Sequence, residues 1–248
     1  MAAERSCMSR AASTPRERVA AVVELLDAAY GRPAWAPRHG AVEELVYTIL
    51  SQNTADVNTD RTYAELRRRL PTWATVRDAP VEQVEAAIAL GGLSATKAPR
   101  IRAVLAALSE RTGEPGLSEL DDMSDADALA YLQRLPGIGP KTAACVLMFA
   151  LGRPAMPVDT HVYRVSGRLG LIEAKLSVEE AHAALTDLAG PENVYALHIN
   201  LVKHGRAVCH ARRPACGRCP LLGVCRSGRT LLTRDGLRAR ERSGRQEA

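Results

Sequence analysis

An all-α fold is predicted by three observations. Apolar residues recur at three- and four-residue spacing along most of the chain, no stretch sustains period-two alternation, and helix start and stop residues bracket the periodic segments. The first segment carries Val19, Val22, Val23 and Leu26, and the second Val42, Leu45, Val46, Ile49 and Leu50. Further helices are expected over 55–70, 81–90, 95–111, 126–135, 141–151, 161–169, 178–188 and 192–204. Pro80 opens one of them, Gly91-Gly92 closes it, and Ser177 with Glu180 reads as a capping box. Residues 1–15 read as a disordered start, and residues 227–248 as a basic, flexible tail rich in Arg, Gly and Ser. No repeat of about 30–45 residues is visible, which argues against a solenoid.

The chain has 248 residues, enough for one large domain or two small ones. With 46% apolar and 25% charged residues it is not a disordered chain. The longest apolar run, 143–151, has nine residues, well short of the roughly 18 that a spanning helix needs. The start, MAAERSCMSR, offers no apolar stretch of a secretion signal, so a soluble protein inside the cell is expected. Charge is distributed unevenly. Residues 201–248 hold 12 Lys/Arg against 3 Asp/Glu, a net +9, which leaves −4 on the 200 residues before them. That asymmetry suits a polyanion partner, the alternative being a solvated arginine-rich end. Only four lysines exist, at 97, 141, 175 and 203, so each merits inspection as a group whose proton can be lost.

Three motifs carry chemistry. The most specific is Cys209-x6-Cys216-x2-Cys219-x5-Cys225, four thiols within 17 residues. Such a segment can fold around a metal centre and gain the order its own small core cannot supply. Unequal outer spacings and a single Cys-x2-Cys pair favour a [4Fe–4S] cluster over structural zinc, with disulfides the remaining alternative. Cys7 and Cys145 stand apart, Cys7 expected exposed and Cys145 in the core. The second motif is Leu135-Pro136-Gly137-Ile138-Gly139-Pro140-Lys141-Thr142-Ala143, between two expected helices. Its glycines permit a tight turn whose amides approach a phosphate, and Pro140 suits the first helical position. The new helix then turns its positive end to the same anion, which is how a helix-hairpin-helix grips a nucleic-acid backbone; an ordinary packing corner is the alternative. Lys141 falls in the first turn of that helix. The dipole there and partial desolvation favour an uncharged amine, able to attack a sugar C1′ and form a Schiff base, the alternative being a lysine that contacts a phosphate or is merely solvated. The third motif is Pro157-Val158-Asp159-Thr160-His161, where Asp159 is either a helix N-cap or a carboxylate aimed at the cavity of Lys141.

Lys141 in LPGIGPKTA, Asp159 eighteen residues later in PVDTHVYR, and the four-cysteine loop together resemble the endonuclease III family of helix-hairpin-helix DNA glycosylases. The resemblance covers residues 16–226 and keeps the family order. It implies a bilobal fold, with a six-helix barrel lobe over 34–153 and an iron–sulfur cluster lobe formed by 16–33 and 154–226. It further implies double-stranded DNA carrying a damaged base or an abasic site as partner, bound by a monomer in the cytoplasm at the nucleoid, with the target nucleotide flipped out of the stack. Lys141 would displace the base and nick the strand by β-elimination, Asp159 would assist glycosidic cleavage, and oxidised pyrimidines would be the substrates. Cys209, Cys216, Cys219 and Cys225 would hold the [4Fe–4S] cluster. DNA contacts are expected from Leu135, Gly137, Ile138, Gly139 and Thr142 of the hairpin, and from His161. Two further loops resemble family wedges: 49–56, where Gln52 or Asn53 would fill the gap left by the flipped base, and 92–97, where Leu93 would intercalate and Lys97 would meet a phosphate. The cluster would fix Arg212, Arg213 and Arg218 toward the backbone. Pro140 stands where relatives often carry a basic residue. The competing functions are a monofunctional mismatch or alkylated-base glycosylase, which would not need a nucleophilic lysine at 141, and a non-catalytic DNA-binding module, which would not need both Lys141 and Asp159.

Overall fold

The computed structural model describes residues 14–173, 175–228 and 230–233, and every regular element among them is helical. The chain divides into two compact units, one of residues 34–159 and one combining the chain up to Pro33 with the chain from Thr160.

The second of these units holds the first helix, α1 (Pro15–Tyr30). Thr14 caps α1 in a reciprocal capping box with Glu17, and Pro15 occupies its first turn. The other unit begins with α2 (Ala41–Ser51), which is buried nearly all round, as its unbroken apolar run Leu45, Val46, Ile49, Leu50 requires. α3 (Asp56–Arg69) ends in Arg67, Arg68 and Arg69, a charge set that suits the negative end of a helix. Short α4 (Trp73–Asp78), which hydrophobic spacing does not signal, is started by a capping box between Thr72 and Thr75. α5 (Val81–Ile88) tightens into a 3-10 turn over Ala89–Gly91 before α6 (Ser94–Ser109). α7 (Asp125–Gln133), capped by Ser124, leads through the hairpin turn to α8 (Pro140–Cys145). One core joins them, with Leu45, Ile49, Leu50, Leu66, Ile88, Ile101, Leu105, Leu132 and Leu147 fully buried. A continuous α-helix was expected over 141–151. Instead α8 widens into a π-helical turn, Val146–Ala150, an arrangement that inserts a residue into the ladder and re-aims the side chains beyond it.

At the edge of this core an exposed arginine pairs with a buried carboxylate. Glu44 is 0% exposed, and its carboxylate accepts from Arg38 Nε at 2.9 Å, Arg38 Nη2 at 2.6 Å and Thr48 Oγ1 at 3.2 Å. The Arg38 guanidinium lies 4.6 Å from the ring centroids of both Tyr47 and Phe149, where cation–π attraction adds to the pairing.

In the other unit, α1 packs on α10 (Val178–Ala189) and α11 (Val194–Ala207) beside α9 (Thr160–Leu169). Asn200 Nδ2 donates to Asp27 Oδ1 at 3.1 Å and Gly31 O at 2.9 Å, fastening the end of α1. α9 and α11 approach closely because Gly205 has no side chain: a Cβ there would come 2.9 Å from His161 Cβ. Cys7 and most of the expected terminal segments lie outside the described residues. Where those segments are described they are ordered: α1 starts at Pro15, and 230–233 are helical, with Leu231 set against the cysteine loop.

Removing Arg38 leaves a carboxylate buried and unpaired. Arg38→Ala should lower stability by about 1–2 kcal/mol, less than for a fully buried pair because the Arg38 side is open to water, and Arg38→Met combined with Glu44→Leu should recover most of that loss. Urea unfolding midpoints of the three proteins check both outcomes.

Candidate active site and cysteine loop

The turn between α7 and α8 is built on Gly137, whose φ of +71° lies in the left-handed region. A Cβ there would also fall 2.8 Å from Nε of Arg100 on α6, so a side chain would strain the backbone and push the Arg100 side chain aside. Arg100 passes beneath this turn and donates from Nη1 to Gln52 Oε1 at 2.9 Å, while Gln52 Nε2 donates to Thr142 Oγ1 at 3.4 Å. α2, α6 and α8 are thereby tied at the hairpin. Pro140 takes the first position of α8, which has no side-chain cap, and Lys141 follows on the exposed side of the first turn.

Beneath Lys141, one helical turn on, lies Cys145. Burial pushes its thiol up to about 12; Lys141 and Arg38 pull it down, Glu44 and Asp159 push it up. Cys145 is thus the core thiol expected, and it lies within electrostatic reach of both Lys141 and Asp159. The segment leading to Asp159 is fixed by burial of Ala155, Met156 and Val158, which leaves Asp159 half-buried at the end of this unit. An exposed amine at a helix start and a half-buried carboxylate on a rigid approach suit nucleophilic attack beside a group that stabilises positive charge.

The remaining residues divide by exposure. Gly137 and Gly139 are exposed, whereas the side chains of Leu135, Ile138 and Thr142 are buried, so contact by the hairpin falls to its main chain. Gln52 is half-buried and engaged by Arg100 and Thr142, while Asn53 is exposed with φ +54°. Leu93 is 56% exposed with φ +53°, at the N-cap of α6, and not in the core. Lys97 requires a correction. It is 3% exposed, and its Nζ donates to Leu50 O at 2.7 Å, Thr54 Oγ1 at 2.8 Å and Gly91 O at 3.2 Å, which leaves no proton for a phosphate. The apolar neighbours Ala98 and Ile101 that pattern α6 already place position 97 next to its buried face, a signal masked by the charge.

In the other unit, Cys209, Cys216, Cys219 and Cys225 are not joined in disulfides and line one cavity with Val165, Leu169, His204 and Leu222. Among the described residues no three Cys, His, Asp or Glu side chains converge as on a single metal ion. Four thiols lining one cavity suit the four ligands of an iron–sulfur cluster. Burial pushes the Cys219 thiol up to about 11, and its loss of a proton accompanies ligation of iron. Two arginines that spacing did not flag hold the loop from α9. Arg168 Nη1 donates to Cys209 Sγ at 3.3 Å and His210 O at 2.7 Å, and Arg164 Nε donates to Cys209 O at 3.0 Å. Arg164 also places Nη2 3.0 Å from Nδ1 of His161, so that half-buried ring is anchored within its own unit. Arg212 and Arg213 are exposed, while Arg218 ties back to Ala207 O at 3.0 Å.

Residues 46–191 match the HhH-GPD superfamily of base excision DNA repair proteins, and residues 209–225 match the iron-sulfur binding domain of endonuclease III. The chain belongs to the endonuclease III family. It is 34% identical to endonuclease III of Thermotoga maritima, over 73% of this chain and 80% of that one, and 34% identical to endonuclease III of Bacillus subtilis, over 77% and 83%. A longer relative from Arabidopsis thaliana is 33% identical, and the match spans 69% of this chain and 59% of the relative. A solved non-covalent endonuclease III–DNA complex superposes with a TM-score of 0.75 at 28% identity, covering 89% of this chain and all of that one. The endonuclease III family makes this chain a DNA-binding DNA glycosylase and AP lyase of base excision repair that carries a [4Fe–4S] cluster. No helix among the described residues is long and apolar enough to cross a membrane.

Two measurements check this geometry. Gly137→Ala should cost about 1–2 kcal/mol from the left-handed backbone alone and displace Arg100, which urea unfolding will read. Purified protein should be brown, with iron and acid-labile sulfide in equal amounts; a colourless protein containing zinc would contradict the cluster assignment.

Proposed function

We propose that this endonuclease III family protein excises damaged pyrimidines and then nicks the strand, using Lys141 as nucleophile and Asp159 as its acidic partner. The observation that carries the reading is the exposed amine on the first turn of α8, directly after the Gly137–Gly139 turn, with the half-buried Asp159 carboxylate at the end of the same unit. A phosphate held by the turn's amides and the helix N-terminus sets the sugar of a flipped nucleotide near that amine. The free amine attacks C1′, the glycosidic bond breaks, and the base leaves with the bonding electrons and takes up a proton. Asp159 stabilises positive charge at C1′ and accepts a proton from the amine. Opening of the sugar ring gives the imine; loss of a C2′ proton then expels the 3′ phosphate by β-elimination, and water releases Lys141.

Asn53 is the residue proposed to enter the space vacated by the flipped nucleotide, because Gln52 is committed to Arg100 and Thr142. Leu93, exposed on the second loop, is proposed to part a base step. The four cysteines 209, 216, 219 and 225 are the proposed cluster ligands; the cluster supplies crosslinks that shape a loop held by Arg164 and Arg168. The barrel and cluster lobes inferred from the sequence, a monomeric state and a place at the cytoplasmic nucleoid belong to the same proposal.

Lys141→Gln should abolish strand cleavage at an abasic site while changing the Kd for abasic-site duplex by less than about threefold. Cleavage at the wild-type rate by Lys141→Gln would remove the mechanism. Retained base release without nicking would replace it with a monofunctional glycosylase. Among duplexes each carrying one lesion, oxidised pyrimidines should give the fastest single-turnover release.

A further inference from the structure

Lys97 is a buried ammonium whose three protons all go to neutral oxygens: Leu50 O, Thr54 Oγ1 and Gly91 O. No carboxylate is needed because of where these oxygens lie. Leu50 O belongs to the last turn of α2, and Gly91 O ends the 3-10 turn after α5, so the cation caps the negative ends of two helical segments. Burial pulls the Lys97 pKa down, yet three acceptors within hydrogen-bond distance hold a proton on each position the nitrogen offers. Thr54 Oγ1 completes the junction by donating to Gly91 O at 2.6 Å.

What this junction joins is specific. Leu50 and Thr54 flank the loop bearing Asn53, and Gly91 is followed at two residues by Leu93, whose carbonyl accepts from the Lys97 backbone N–H at 2.9 Å. Among the described residues three non-glycines have positive φ: Asn53, Leu93 and Arg213. Two of the three stand on the loops held by this one ammonium. Exposed large apolar side chains collect there as well, for Leu90 is 65%, Val57 61% and Leu93 56% exposed. Two loops with positive-φ residues at their tips, one the exposed polar Asn53 and one the exposed apolar Leu93, need a rigid tie to keep their spacing.

We propose that Lys97 is a positioning residue that locks the Asn53 and Leu93 loops into one two-pronged wedge, so that both enter distorted DNA in register. The inference rests on the DNA reading above and adds the coupling of the two loops. Its role is distinct from phosphate contact, which burial denies it, and from general packing, which would not select carbonyls from both loops.

The test uses the full cluster-bearing protein in the Lys141→Gln background, which binds without cutting. Kd is measured for undamaged and abasic-site duplexes, with 2-aminopurine opposite the abasic site reporting unstacking. The parent should prefer the abasic duplex and raise the fluorescence. Adding Lys97→Met, with iron content and far-UV circular dichroism unchanged, should leave the undamaged-duplex Kd within about twofold, reduce lesion preference at least tenfold and remove the fluorescence rise. If Lys97→Met does not fold, Thr54→Val removes the hydroxyl between the loops and should shift lesion preference and fluorescence in the same direction. Unchanged preference and fluorescence, or an equal loss of affinity for both duplexes, would overturn the proposal. A parent that shows no preference for the abasic duplex would instead overturn the DNA reading on which it stands.

Discussion

The reversal of the chain at Gly137 is the constraint on which the site depends. Its left-handed φ turns α7 back into α8 without a side chain in the way, and the Arg100 side chain fills the place a Cβ would take. Pro140 then starts α8 without needing an amide partner, and Lys141 stands at the helix's positive end, where an anion is attracted. A single added methyl group would strain this turn and push aside the Arg100 side chain that ties it to Gln52. Catalysis of this kind asks for placement within a fraction of an ångström, and a fold supplies it best at the junction of packed helices.

Buried charge is used in two ways in the same unit. The buried Glu44 carboxylate is neutralised by the exposed Arg38, whose guanidinium lies 4.6 Å from two aromatic ring centroids, so the pair adds little net field while fixing α2 to the residues before it. Lys97 has no such counter-ion and takes the aligned carbonyls at helix ends instead. The first arrangement is costly to break on one side only. The second makes a cation part of the main-chain hydrogen-bond network, which is why a residue type rarely found inside a protein is stable there.

Periodicity and punctuation made the helices legible, because most long helices bury one stripe and several are bracketed by Pro, Gly, Ser or Thr, as α1 and α10 are. α4 escaped because six residues are too short to show a period, and its start depends on a Thr72–Thr75 exchange of hydrogen bonds. The π turn at Val146–Ala150 escaped because its residues are apolar on every side, so no stripe betrays the change of pitch. In the candidate site, the glycines, Lys141, Asp159 and the cysteine spacing stood out as chemistry in sequence order. Lys97 was misplaced at the surface because charge ordinarily signals exposure; only the three carbonyl and hydroxyl oxygens, brought together from positions 50, 54 and 91, reverse that rule. Arg164 and Arg168 carried no signal beyond a shared helix face, since the loop they hold is identified only once α9 is seen beside it.

The central claim is that one amine, at the first turn of α8, forms the bond to DNA. Reducing the enzyme–abasic DNA complex with borohydride, digesting it and sequencing the adduct-bearing peptide by mass spectrometry tests this most directly. The account predicts a sugar remnant on Lys141 and on no other of the four lysines. A remnant on Lys97, Lys175 or Lys203, or no adduct with active enzyme, would contradict it.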